Sequence, residues 1–122
     1  MLAPDCPSRP VLEHITGRWG SLVLIALCKG STRFNELRRR VNGVSEKMLA
    51  QSLHALERDG MVVREVHSRI PPRVEYSLTP LGERSAEKLW ELVVVLEDSM
   101  PQILAMQQAY DSAAEAAEAA EG

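Results

Sequence analysis

This chain is poor in cysteine and in aromatic residues: its 122 residues include two Cys, two Trp, two Tyr and one Phe. Two cysteines are too few for a disulfide framework. Neither Cys6 nor Cys28 has a second Cys or a His at the spacing of zinc ligands, so we predict no metal site. No cofactor is predicted either, because the sequence contains no cofactor-binding motif.

Long apolar runs are also missing. The two most apolar stretches, residues 22–28 and 92–96, are far too short to cross a bilayer. The opening residues, MLAPDCPSRP, lack the apolar region of a signal peptide. We therefore expect a cytoplasmic protein with no membrane partner.

The residue patterns of common enzymes are absent as well. There is no glycine-rich phosphate loop, and no nucleophile is visibly paired with a general base. Ser45 resembles a nucleophile only if its position at the start of a helix is ignored. We predict that the protein is not an enzyme.

The length of the chain predicts a single domain. Its net charge of −3 conceals an uneven distribution of charged residues along the sequence. Residues 1–80 contain 12 Lys and Arg against 8 Asp and Glu, whereas residues 81–122 contain 2 against 9. These counts add up to the totals of 14 and 17 for the chain. A basic region of this kind indicates a nucleic-acid partner, the alternative being an ordinary solvated surface.

The segment Ser45–Gly60 predicts a helix with two distinct faces. Ser45 is a suitable N-cap, and Gly60 is suited to the position just after the last helical residue. One face buries Leu49, Leu53 and Leu56. The opposite face presents long hydrogen-bonding side chains: Lys47, Gln51, His54 and Arg58. Such a face either meets water or recognises something polar.

The flanking segments predict a winged helix-turn-helix. Before this helix, Thr32 is a predicted N-cap for a short amphipathic helix, and a turn at residues 42–44 joins the two helices. After it, residues 61–66 and 74–78 read as strands, with a stiff basic loop at 68–73 between them. The predicted fold class is mainly α with a small β-hairpin (α+β).

Three consecutive arginines on the first of these helices differ in predicted direction. Arg38 flanks the buried stripe and is expected to be structural. Arg39 points outward and is the better phosphate ligand, whereas Arg40 is intermediate.

The ends of the chain predict further helices at residues 7–16 and 21–29, with Cys28 buried in the second as a small apolar residue. Thr79 and Pro80 start a long helix that Pro101 breaks or restarts. The apolar residues of that helix need cover on more than one side, which a second subunit supplies. We predict one winged-helix domain at 1–110, with the helix-turn-helix at about 33–60, the wing at about 61–78 and dimerisation helices at about 79–110. The Ala/Glu-rich tail at 111–122 is either a helical extension or frayed.

Several of these pieces occur in the order found in one family. The chain resembles the HxlR-type winged-helix transcriptional regulators, which are related by architecture to the MarR group. The resemblance covers roughly residues 6 to 100. The matching pieces are Cys6-Pro7, Gly17-Arg18-Trp19, RFNELRR at 33–39, VSEKML at 44–49, residues 53–60 and PPRVEYSLTPLG at 71–82.

The resemblance implies a homodimer, joined through its N- and C-terminal helices, that binds a palindromic double-stranded DNA operator. Ser45–Asp59 is then the recognition helix and Ser68–Arg73 the wing. The implied DNA-facing residues are Ser45, Lys47, Gln51 and His54. We further predict that Arg39, Arg69 and Arg73 bind backbone phosphates, with the minor groove as an alternative target of the two wing arginines. Repression is the expected outcome, because a bound dimer excludes polymerase sterically.

Some members of this family sense oxidants or electrophiles through a cysteine in the leader, at about the place of Cys6. A helix start and the nearby Arg9 are expected to favour the thiolate form of Cys6. The alternative is an inert thiol. For the chain as a whole, the alternative is a winged-helix module that binds protein and no DNA.

Overall fold

The computed structural model describes residues 1–121, which form five helices and three strands. The elements are α1 (Ser8–Thr16), α2 (Gly20–Leu27), β1 (Thr32–Arg33), α3 (Phe34–Arg40), α4 (Glu46–Arg58), β2 (Val62–Arg69), β3 (Pro72–Leu78) and α5 (Pro80–Glu121). The chain divides into two compact units, Met1–Trp90 and a second that begins at Glu91. The predicted domain boundaries at 110 and 111 stay a prediction.

The helix-turn-helix consists of α3 and α4, joined by a turn in which Gly43 has a φ of +92°. Only glycine adopts such a backbone conformation without strain. Ser45 caps α4 as predicted, since its Oγ accepts a hydrogen bond of 3.1 Å from the amide of Met48. The predicted cap of α3 is wrong: Thr32 is a strand residue, and its hydroxyl donates to the carbonyl of Gly30.

The sheet has three antiparallel strands in the order β1-β3-β2. The strands of the hairpin are longer than predicted, because β2 and β3 pair from Val62 opposite Leu78 to Arg69 opposite Pro72. The turn is therefore Ile70-Pro71 alone, and the segment predicted as a loop at 68–73 is mostly strand. The third strand, β1, was not predicted; it pairs Thr32 with Tyr76.

The core lies where α2, α3 and α4 meet the base of the sheet. Its buried side chains are Val23, Leu24, Leu27, Leu37, Val41, Val44, Leu49, Leu53, Leu56, Met61, Val62 and Ala86. Two glycines permit close backbone contact: a Cβ at Gly20 would collide with the carbonyl oxygen of His14, and one at Gly82 with that of Met61. These contacts seat α2 on α1 and the start of α5 on the sheet.

A side-chain hydrogen bond joins α1 to the end of α4. The Nδ1 of His14 lies 2.6 Å from the Oδ2 of Asp59, whose side chain is only 5% exposed. Asp59 is the C-cap residue of α4. The position of α4 is thus fixed by its leucines on one side and by this polar contact at its end.

The helix α5 runs without interruption from Pro80 to Glu121. Thr79 caps it as predicted, because its Oγ1 accepts from the amide of Gly82 at 3.0 Å. The predicted break at Pro101 is wrong, since Pro101 lies inside the helix. Of the two alternatives for the tail, the described part, to Glu121, is a helical extension.

Candidate nucleic-acid interface

The outward face of α4 is polar and exposed. Lys47, Gln51 and His54 are all exposed. Within residues 1–121, none of the three has a hydrogen-bond or ion-pair partner. Because the three leucines of α4 fill the core on the opposite side, this face projects polar groups from a firmly packed helix. The arrangement suits contact with an external polar surface.

Ser45 lies at the N-terminal end of this face and is exposed, but its side-chain oxygen already caps the helix. Its Oγ accepts the amide of Met48, so the hydroxyl proton remains available to donate. A donor at a helix N-terminus suits a phosphate oxygen, since the amides and dipole there favour negative charge. Ser45 therefore fits a phosphate better than a base edge.

The three arginines of α3 are arranged differently from the prediction for Arg38 and Arg40. Arg38 is exposed, and its guanidinium lies 3.1 Å from the carboxylate of Glu46 in the first turn of α4. Arg40 is the structural one, because it donates to Glu36 at 2.8 Å and to Thr32 at 3.0 Å. Helical periodicity alone did not predict these contacts, because Glu46 and Thr32 belong to other elements, whereas Glu36 lies one turn earlier on α3.

Arg39 is exposed, and its side chain has no partner among the described residues. It lies between two polar clefts. One cleft, of about 570 Å³, adjoins the turn before α4 and includes Asn35 and Asn42. The other, of about 580 Å³, lies between α3 and the wing and includes Arg33 and Pro72. Arg39 thus lies between the turn that precedes α4 and the β3 end of the wing near its tip.

Two side chains beside Arg39 were not identified from sequence. Arg33 and Asn35 are exposed at the junction of β1 and α3, and both line the cleft toward the wing. Arg33 is the first residue of the RFNELRR motif, but its position beside the wing depends on the pairing of β1 with β3, which was not predicted. Asn35 lies within the RFNELRR motif but was not considered as a ligand.

The wing carries alternating charges. Arg69 is exposed and has no partner among residues 1–121. Arg73 is also exposed, but its guanidinium lies 3.6 Å from the carboxylate of Glu75. The hydroxyl of Ser31 donates to Glu75, and this bond together with His67 and the arginines nearby lowers the pKa of that carboxyl. Arg69 is therefore the freer of the two predicted phosphate ligands.

Cys6 lies just before α1 and is partly exposed. Its Sγ is 3.2 Å from the Oγ of Ser8. Hydrogen bonding by the Ser8 hydroxyl, then by the N-terminal amine and the Ser8 amide, lowers the pKa of the Cys6 thiol to about 7. Arg9 acts through its backbone amide, because its guanidinium instead bonds the carbonyl of Leu2 and Glu13.

The prediction that Cys28 is buried is wrong. The helix α2 ends at Leu27, and Cys28 is an exposed C-cap residue. It lines an apolar cavity of about 690 Å³ with Leu78 and Trp90. Desolvation, with a smaller effect of Glu83, raises the pKa of the Cys28 thiol. The surroundings of the two thiols therefore shift their pKa values in opposite directions.

No group of three or more His, Cys, Asp and Glu among the described residues is placed to hold a metal ion. None of the helices in residues 1–121 combines the length and the hydropathy that membrane spanning requires.

The fold and this polar surface define a winged helix-turn-helix DNA-binding protein. A family model described as HxlR-like helix-turn-helix matches residues 14–104, and the chain belongs to that family. It is therefore a transcriptional regulator with a DNA-binding winged helix.

Relatives and solved structures agree with this assignment. The HTH-type transcriptional regulator YtfH of Escherichia coli strain K12 is 55% identical over 106 residues, which make up 87% of this chain and 84% of the relative. The structure of YtfH from Salmonella typhimurium is 54% identical with a TM-score of 0.83, covering 88% of this chain and 96% of that one. The redox regulator HypR, in its reduced form, is 33% identical with a TM-score of 0.74, covering 81% of this chain and 98% of that one.

Proposed function

We propose that this protein is a cytoplasmic, dimeric repressor that binds a palindromic DNA operator. The observation that carries the proposal is the outward face of α4, where Lys47, Gln51 and His54 are exposed and unpartnered opposite a buried leucine stripe. A helix of this kind fits the major groove, where each base pair presents a distinct pattern of donors and acceptors.

The three side chains have different roles in this proposal. Gln51 pairs with an adenine, whose N6 and N7 match its amide, and Lys47 binds guanine or a phosphate. His54 donates to guanine or to a phosphate. A good bidentate base contact contributes about 1–3 kcal/mol of discrimination against the wrong base.

Phosphate contacts then set the position of α4 on the duplex without reading sequence. Arg39 and Arg69 are suited to this role, because both are exposed and have no protein partner in the described chain. Ser45 donates at the helix N-terminus, and Arg73 contributes in competition with Glu75. Arg33 and Asn35 extend the same surface toward the wing.

Dimerisation follows from the second compact unit, which begins at Glu91. It leaves large apolar side chains exposed along α5, namely Leu92, Val94, Val95, Leu96, Leu104, Met106 and Tyr110. All of them except Val94 lie within about 100° of Leu96 around the helix, and an apolar helix face of this kind marks an interaction site. The occupant in this proposal is the same surface of a second copy, with α1 adding to the interface.

The proposed function also includes the sensing of oxidants or electrophiles by Cys6. A thiol with a pKa of about 7 is substantially ionised at neutral pH, and the thiolate is the reactive form. With a quinone, the Cys6 thiolate forms a carbon–sulfur bond to the ring, and the quinone oxygen takes up a proton. The similarity to the redox regulator HypR supports this part, and an inert Cys6 is the contrary outcome.

The direct test is to select binding duplexes from a random DNA pool and footprint the protein on them, with and without a quinone or diamide. We expect protection of two half-sites about one helical turn apart, lost on treatment in the wild type and retained in Cys6→Ser. Operator binding that survives treatment, with Cys6 shown to be modified, removes the sensing part alone. If no duplex is bound and a salt-insensitive protein partner is found, the chain is instead a protein-interaction module.

A pair of variants separates base reading from positioning. Gln51→Ala should relax specificity at one base pair per half-site. Arg69→Ala should instead weaken binding to all duplexes and flatten the salt dependence by about two units per dimer, because one phosphate contact per subunit is lost. Fluorescence anisotropy titrations at several salt concentrations measure both effects. Equal losses on specific and random DNA for both variants would contradict these roles.

A further inference from the structure

The tip of the β2–β3 hairpin is apolar, which is unusual for a two-residue turn. Ile70 is 93% exposed, and Pro71 and Pro72 beside it are exposed as well. Such turns normally carry Gly, Asn, Asp or Ser, whose small or polar side chains suit the turn. Neither turn formation nor core packing therefore accounts for an isoleucine at this position.

The apolar tip is flanked by positive charge. Arg69 lies opposite Pro72 in the last pair of the ladder, and Arg73 lies opposite Ser68 in the pair before it. Both arginines thus lie within two ladder pairs of the turn that carries Ile70. An apolar side chain between two cations is complementary to a surface that is apolar inside and anionic at its edges.

We propose that Ile70 inserts into the DNA minor groove and partly unstacks one base step, while Arg69 and Arg73 bind the phosphates on either side. This inference rests on the proposed function and extends it from binding to bending of the operator. The minor groove is about 6 Å wide, too narrow for a two-stranded ribbon but wide enough for one side chain at its tip. Apolar wedges of Ile, Leu, Phe, Met or Pro are known to kink duplexes in this way.

The hairpin is suited to hold such a wedge in place. Pro71 and Pro72 have fixed φ angles, so the tip loses little conformational freedom on binding. The last two pairs of the ladder, Ser68 with Arg73 and Arg69 with Pro72, hold the turn at its base, and a register shift lies below them between Val66 and Ser68. Because unstacking costs least at flexible pyrimidine–purine steps, TA or CA steps are expected where the wing lies.

The test uses the full-length protein and a duplex selected as its binding site, with 2-aminopurine placed in turn at each position of the flanking minor groove. The fluorescence of this base rises when it is unstacked, a change that phosphate contacts alone do not produce. We expect a rise at one step per half-site with the wild type. The signal should vanish in Ile70→Ser, with an affinity loss of about tenfold.

Two matched variants control the experiment. Ile70→Val keeps a branched apolar tip and should retain the signal. Val66→Ser removes a half-exposed apolar side chain from the middle of β2 and should leave the signal and affinity unchanged. Loss of affinity in Ile70→Ser with no 2-aminopurine signal in the wild type overturns the wedge, and so does unchanged binding by Ile70→Ser. In both cases the proposed function stands, whereas a wild type that binds no duplex overturns both.

Discussion

At the scale of single residues, the two thiols of this chain have opposite settings. Hydrogen bonds from Ser8 and the start of α1 favour the charged form of Cys6, whereas desolvation and Glu83 disfavour that of Cys28. Since only the thiolate attacks electrophiles, exposure alone does not rank their reactivity. Cys28 is the more exposed residue, but Cys6 is the more readily ionised one.

This difference predicts a pH profile. The alkylation rate of Cys6 by iodoacetamide should be half-maximal near pH 7 and level off about one unit above, because its pKa is about 7. The rate at Cys28 should still be rising above pH 9, since its pKa lies above the ordinary value. Mass spectrometry of each cysteine peptide measures the two rates separately.

The matched control is Ser8→Ala, which removes the largest stabilising hydrogen bond to Cys6. Its midpoint for Cys6 should move toward higher pH, while the profile of Cys28 stays in place. Indistinguishable profiles for Cys6 and Cys28 in the wild type would contradict the assignment of the two environments.

At the scale of elements, the sequence predicted those whose evidence is local. The faces of α4, its Ser45 cap and the Thr79 cap of α5 follow from residue spacing within one helix, and the structure confirms them. The strand β1 has only two residues and exists because Thr32 pairs with the distant Tyr76. No local sequence pattern predicts a pairing between such distant residues. Thr32 was therefore predicted, wrongly, to cap a helix.

The predictions at Pro101 and Cys28 were wrong for two different reasons. Proline removes one helical hydrogen bond, but Glu97, whose carbonyl loses its donor, is exposed to solvent, where water can replace the bond. The strong helix formers around Pro101 then continue the helix.

The apolar run before Cys28 suggested burial on all sides, yet α2 buries one stripe and leaves Leu22 and Cys28 exposed.

Ser45 allows the capping and binding roles to be separated. Ser45→Ala should lower the free energy of unfolding by about 1 kcal/mol, because the amide of Met48 loses its acceptor. Ser45→Asp preserves an acceptor and adds a favourable charge at the helix N-terminus, so stability should be kept. Its DNA affinity should nevertheless fall at low salt, since the new carboxylate repels phosphate.

Urea denaturation and anisotropy titrations measure the two quantities on the same preparations. If Ser45→Asp bound duplex DNA as tightly as the wild type at low salt, the N-terminus of α4 would not approach the phosphate backbone. The capping role could still stand, because it depends only on the stability of Ser45→Ala.

At the scale of the whole molecule, the α4 face and the apolar face of α5 each require a second subunit. The unit that ends at Trp90 buries its own core and presents the polar face of α4, whereas the helix from Glu91 onward has apolar side chains that nothing in the described chain covers. The proposed palindromic operator needs two copies of α4, and the apolar face of α5 needs a partner. A symmetric dimer satisfies both requirements.

The dimer is tested by charge placed on one face of α5. Leu96 is 46% exposed and lies among the apolar side chains, whereas the exposed Ala105 is nine residues further on, about two and a half turns away and so on the opposite face. Leu96→Glu should give a monomer in sedimentation experiments at micromolar concentration, because each interface would bury two unpaired carboxylates. Ala105→Glu adds the same charge to the solvent side and should remain dimeric.

Duplex binding should follow the oligomeric state. A Leu96→Glu monomer makes contact with one half-site, so its affinity for the full operator should fall at least a hundredfold, toward that of a single half-site, as the second contact loses its effective concentration. Ala105→Glu should bind like the wild type. A folded Leu96→Glu protein that stays dimeric and binds the full operator normally would place the subunit interface away from this face of α5.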